Sequence, residues 1–294
     1  MDNETEFIKN ELKKKGYPLE NYIHSMLVKN KWRVQSHAYF LDKDTDKGRE
    51  LDLKAYNDDF VADHWRARFV LNLLIQCRKL PGNAWIFFSV PQEPEHKSIE
   101  ISNLAKSLNF PRFFWAFDKS GTHFNDSDIL ATNYCEIITD KARSNKRVDN
   151  IWECVISLIK ATSQELEKDD ADIKQYLEET GSYDEFIRDP FEVVKIYYPL
   201  IVFEGKMYEC IFLDEEIILN ERKYIPFFVD YQSGHYKGEF HIDIVSKERF
   251  SRYLKDIMRD LAVFNEKRNN ISQEYEKVIL EALRGYFKKG VVMV

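Results

Sequence analysis

The chain has 294 residues, 44% of them hydrophobic and 32% charged, which excludes general disorder and leaves room for at least one substantial core. No apolar run approaches the ~20 residues that cross a bilayer, and the polar start Met1 to Glu6 is unlike a signal peptide, so a cytoplasmic protein without a membrane partner is expected. The formal net charge of -7 argues against a general nucleic-acid coat, yet Ser163 to Pro190 holds ten Asp/Glu against three Lys/Arg, an excess equal to that of the whole chain, so a local basic groove is compatible with the rest.

In chain order, residues 5–15 predict a short amphipathic helix, and Gly16 and Pro18 punctuate it. A second helix starts near Pro18, with Leu19, Tyr22, Ile23, Met26 and Leu27 on one face and Glu20 in its first turn. Strands follow at 32–41 and 50–56, joined by the polar turn 42–48. Two more, at 68–77 and 84–90, are separated by Pro81-Gly82-Asn83. A helix is expected over 98–108, a strand over 134–139 and a helix over 151–166. Beyond these, 193–203 and 207–213 read as a hairpin turning at Glu204-Gly205-Lys206. A second pair, 224–231 and 239–245, flanks Ser233-Gly234, and helices over 247–264 and 273–287 follow. The apolar tail Gly290 to Val294 is β-prone and suits a sheet edge or a partner.

The expected fold class is α/β, a mixed central sheet covered by helices on both faces, because the strands are near-continuously hydrophobic. The core would span 1–162, an acidic helical linker or insertion 163–190, and a C-terminal α/β part 191–294, which either stands alone or extends the same sheet. Cys77, Cys135, Cys154 and Cys210 lie far apart, without the close pairs of a zinc site, and read as reduced, mostly buried thiols.

The most informative feature is the run Gly48-Arg49-Glu50-Leu51-Asp52-Leu53 followed by a strand ending Leu74-Ile75-Gln76-Cys77-Arg78-Lys79. It sets a carboxylate, an amide and a cation at the ends of two neighbouring strands, which suits a divalent metal and a phosphodiester. With Gly16-Tyr17-Pro18-Leu19-Glu20 opening a helix and Ala84-Trp85-Ile86-Phe87-Phe88 beyond, this order resembles the restriction-endonuclease-like superfamily, the PD-(D/E)XK nucleases, over roughly the first 90 residues. The resemblance implies Mg2+ (or Mn2+) held by Glu20, Asp52 and Gln76, with the Cys77 carbonyl as a further ligand, and Arg78 with Lys79 on the scissile phosphate. The implied activity is a DNA endonuclease of a restriction or phage-defence type.

Two positions depart from the family pattern. Gln76 offers a neutral oxygen where a carboxylate is commoner, although the Mrr-like branch also carries Gln there. Arg78 replaces a lysine and stays protonated, so it can hold a phosphate oxygen but cannot act as a base; Lys79 or Lys54 could substitute if a bulge redirects one of them. These departures open the alternative of a catalytically degenerate protein that binds nucleic acid or a partner protein; the acidic segment and β-prone tail also fit an assembly module, such as a homodimer. Weaker candidates are His235, Glu239, His241 and Asp243 as ligands, against a plain hairpin. His24 beside Glu20, the aromatic cluster Phe110, Phe113, Phe114, Trp115 and Phe117 with Arg112, and the basic patch Lys141, Arg143, Lys146 and Arg147 complete the set.

Overall fold

The computed structural model describes residues 3–14, 16–61, 67–89, 105–106, 129–138, 149–180, 192–213 and 215–269. Two short helices, α1 (Asn3–Lys14) and α2 (Tyr17–Lys29), open the chain. Strands β1 (Arg33–Asp42), β2 (Lys47–Val61) and β3 (Ala67–Ser89) follow, then β4 (Ala105–Lys106) and β5 (Ala131–Ile138). Helix α3 (Asn150–Thr180) leads into β6 (Glu192–Leu213), β7 (Glu216–Glu221), β8 (Tyr224–Gln232) and β9 (Lys237–Ser246), and α4 (Phe250–Asn269) comes last. None of the described helices is long and apolar enough to cross a membrane. The aromatic cluster at 110–117, the basic patch at 141–147, the helix expected over 273–287 and the tail at 290–294 lie outside the described residues.

The strands form one mixed sheet in the order β1-β2-β3-β5-β8-β9-β6-β4, with β7 on β6. Because β3 also pairs directly with β6, the pairings β3–β5, β5–β8, β8–β9, β9–β6 and β6–β3 run in a closed circuit. The fold is thus mixed α/β with a sheet that partly closes on itself. Side chains of Trp85, Phe87, Phe203 and Phe227 fill the enclosed side, with Trp85 stacked on Phe203 at 3.9 Å between ring centroids.

Three segments differ from the sequence expectation. The segments 68–77 and 84–90 are not separate strands: β3 is continuous, and between Lys79↔Glu204 and Ala84↔Lys206 it carries extra residues relative to β6. Pro81-Gly82-Asn83, with Gly82 at φ 92°, is absorbed there as a bulge, because apolar side chains on both flanks keep parallel register with one partner. Likewise, 193–203 and 207–213 do not fold back as a hairpin. Strand β6 runs straight through Glu204-Gly205-Lys206, and Gly205 leaves space for the Phe203 ring, since a Cβ there would fall 2.3 Å from the ring. The hairpin forms one strand later, β6 with β7. Finally, Ala105–Lys106, inside the helix expected over 98–108, pair antiparallel with β6.

Two cores explain the near-continuous hydrophobicity of the strands. On one face, Leu19, Ile23 and Leu27 of α2 and Phe250, Tyr253 and Ile257 of α4 cover Leu53, Leu73, Ile75, Leu200 and Val202. On the other, Ile151, Cys154, Val155, Leu158 and Ile159 of α3 cover Leu74, Tyr197, Ile201, Ile225 and Ile244. Alternate residues of β3 therefore feed opposite cores, so both sides of the strand are buried.

Candidate active site

The antiparallel ladder between β2 and β3 ends at Leu53↔Ile75, and the sequence motif begins where the two strands part. Asp52 turns into the gap and replaces the missing ladder bond: its Oδ2 accepts from the Cys77 backbone N–H at 2.6 Å and from Arg78 Nη1 at 3.2 Å. The same Arg78 nitrogen donates to the Cys77 carbonyl at 2.8 Å. Gln76 lies on the α3 side, its Nε2 donating to the Glu50 carbonyl at 3.2 Å and to Ser157 Oγ at 3.3 Å; neither bond uses its Oε1.

Glu20 reaches the site from the first turn of α2. Pro18 and the Leu19 N–H bond to the Gly16 carbonyl start the helix there, and a Cβ at Gly16 would lie 3.2 Å from Glu20 Oε1. Strand β1 adds a fourth element. Ser36 pairs with Leu53 and Ala38 with Leu51, which sets His37 across from Asp52. His37 holds φ 55°, a left-handed conformation uncommon for a residue with a side chain, and its Nδ1 contacts Glu50 Oε1. Around this point the hairpin changes the face it presents: Val34 and Leu53 serve the α2 core, whereas Ala38, Phe40 and Leu51 serve the α3 core.

Charge is crowded here. Burial and then the neighbouring Asp52 raise the Glu20 carboxyl above its ordinary pKa, against the pull of His37 and Arg78. Asp52 is also raised, first by burial, with Arg78 and the Cys77 N–H opposing. The His37 imidazole is raised by its bond to Glu50. Glu20, Asp52, Glu50, His37 and Arg78 therefore act on one another, and four different elements supply them.

The structure separates the remaining motif residues. Lys79 turns away from Asp52 to Glu204 Oε1 at 2.8 Å, and Lys54 goes to Glu165 Oε2 at 2.6 Å, so neither lysine takes the place Arg78 holds. Cys77 keeps its buried thiol protonated, raised well above the usual range by desolvation, and its carbonyl is engaged by Arg78. His235 and Glu239 are exposed on the β8–β9 hairpin, while Asp243 is buried and accepts from Tyr224 and Tyr253 at 2.9 and 2.6 Å. Sequence reasoning missed His37 and the side chain of Glu50. The turn expected at 42–48 carries the signal for both, since counting outward along the hairpin brings His37 to within one residue of Asp52.

Glu20, Asp52 and the Gln76 amide oxygen are hard oxygen donors of the kind Mg2+ and Mn2+ take, and two carboxyls raised above their ordinary pKa by burial, that of Glu20 also by Asp52, are eased by a cation. Among the described residues no group of three or more His, Cys, Asp and Glu side chains could by itself hold a metal ion, so a third ligand would have to be the amide or backbone. Compared with family models, curated proteins and solved structures, the chain matches none.

Proposed function

We propose that this chain is a metal-dependent nuclease that hydrolyses phosphodiester bonds, in DNA, in a restriction or phage-defence role, on a restriction-endonuclease-like core. The observation that carries this reading is the convergence of Glu20, Asp52 and Arg78 where β2 and β3 part. Glu20, Asp52 and Gln76 Oε1 would hold Mg2+ or Mn2+, which when bound supplies charge neutralisation and a more acidic water. Arg78 contributes a fixed cation that can grip a non-bridging phosphate oxygen and offset the charge that develops there. Four cysteines without disulfides fit a reducing compartment, hence the cytoplasm.

Incubating single- and double-stranded DNA with the protein and Mg2+ or Mn2+ tests the reading. Cleavage should stop with EDTA and fall at least about 100-fold in Asp52→Ala, the scale of removing one group that acts on developing charge. Equal cleavage by parent and variant would refute it.

A second reading is favoured by one specific contact: Arg78 bridges the Asp52 carboxylate and the Cys77 carbonyl, occupying two oxygens otherwise offered to a metal. On this reading the protein binds nucleic acid or a partner without hydrolysis. Titration calorimetry would then give no heat with Mn2+, and Arg78→Lys would be needed before any cleavage appears.

A further inference from the structure

Resting on the reading of the site as a phosphodiester-binding one, we infer that Lys79 and Lys247, bridged by Glu204 beneath Tyr22, form a second phosphate subsite that holds the DNA strand beside the reacting group. Lys79 Nζ meets Glu204 Oε1 at 2.8 Å and Lys247 Nζ meets Oε2 at 2.9 Å, so two ammonium groups share one carboxylate and the cluster keeps a net positive charge. Each ammonium has three donor hydrogens, and these contacts use one apiece. The Lys247 nitrogen lies 5.2 Å from the centre of the Tyr22 ring, whose residue is 42% exposed.

Two elements carry both places at once. Glu20 and Tyr22 both belong to α2, and Lys79 follows Arg78 on β3 with its side chain on the opposite face, the one that α2 covers, so the lysine pair shares the α2 side of the sheet with Glu20. Glu204 comes from β6, opposite Lys79 in the ladder, and Lys247 follows β9, its N–H bonded to the Phe203 carbonyl at 3.0 Å. Three strands thus fix the lysines before any ligand arrives, and an incoming phosphate would replace a carboxylate that is already there. Glu204 is held below the usual carboxylate range by both lysines, despite its burial, and acts as an internal stand-in for that phosphate.

The alternative is a purely structural staple between β3, β6 and the β9–α4 turn. The two differ in sign for Glu204. Anisotropy of a dye-labelled duplex, and of one of its strands alone, would be measured with the full chain in EDTA over a series of salt concentrations. Lys79→Ala and Lys247→Ala should each weaken binding and reduce the slope of log affinity against log salt by about 1, and the double variant by about 2. Glu204→Gln should tighten binding about threefold or more, and that gain should vanish once both lysines are alanine. Lys247→Arg should restore binding, and circular dichroism should show each variant folded. Unchanged slopes, or a Glu204→Gln variant that binds no more tightly, would overturn the subsite even if the parent cleaves DNA. Lysine-dependent binding without cleavage would uphold the subsite while the hydrolytic reading falls.

Discussion

Asp52 does two jobs that pull against each other. Its Oδ2 closes the end of the β2–β3 ladder through the Cys77 N–H, which favours the ionised form, while burial favours the neutral one, and burial prevails. Glu20 is raised in the same sense. A folded carboxyl with a raised pKa contributes stability that is fully present below its unfolded value and lost as pH rises through its folded value. Glu20→Gln should therefore flatten the loss of stability above the ordinary glutamate range and raise Tm at pH 7 by up to about 3 °C, a sub-kcal/mol gain at this chain length. Mn2+ should raise the Tm of the parent and not that of the Glu20→Gln, Asp52→Asn double variant; scanning fluorimetry reads both effects. His37 makes a different prediction. At φ 55° a Cβ costs about 1–2 kcal/mol, so His37→Gly should be more stable than His37→Ala by about 1 kcal/mol in urea titrations, the reverse of the usual order in a strand.

At the scale of elements, the β1–β2 hairpin that carries His37 and Asp52 is anchored by its far end. Lys160, buried on α3, bonds Asp42 Oδ1 at 2.6 Å and Asp44 Oδ2 at 2.8 Å and sits 5.3 Å from the Tyr236 ring. Tyr236 donates to the Leu41 carbonyl at 3.0 Å and accepts from the Lys43 N–H at 2.9 Å. These contacts tie one turn to both α3 and the β8–β9 hairpin. Removing the lysine leaves buried Asp42 with Arg49 Nε at 3.2 Å as its cation and takes away one short charged hydrogen bond, so Lys160→Ala should cost about 1.5–3 kcal/mol in chemical denaturation. Strand β6 depends on Gly205 in another way. The Phe203 ring lies over it and cannot swing aside, being stacked on Trp85, so Gly205→Ala should destabilise by about 1–3 kcal/mol.

For the molecule as a whole, β3 and β6 are the shared frame. They run parallel from Ala67↔Glu192 to Phe88↔Cys210, one from each half of the chain, and both cores are built on them. Neither half has a complete core alone, because β6 pairs with most of β3 and α3 packs on β1, β2 and β3 as well as on β6 and β9. The chain should accordingly unfold in one cooperative calorimetric transition, with the calorimetric and van't Hoff enthalpies equal. Two resolved transitions would mean that the halves are separable.

Much of this was legible in local pattern. The α2 face, the opening of β2 and the cluster from Gln76 to Lys79 follow from periodicity and punctuation, which are local properties. Pro81-Gly82-Asn83 and Glu204-Gly205-Lys206 misled for one reason: turn residues report what the backbone can do locally, and a long parallel partner decided between a turn and a bulge. His37 and Glu50 were hidden because their importance comes from register across a hairpin. What the sequence determined by itself is which residues alternate, where helices start, and that an acidic, amide and cationic set falls at two strand ends. Only the tertiary structure decided that β2 and β3 part at Asp52, that Arg78 rather than a lysine faces it, and that Lys79 joins Lys247 across Glu204. Those outcomes depend on the distance between segments far apart in the chain, which burial and strand pairing set and no local preference encodes.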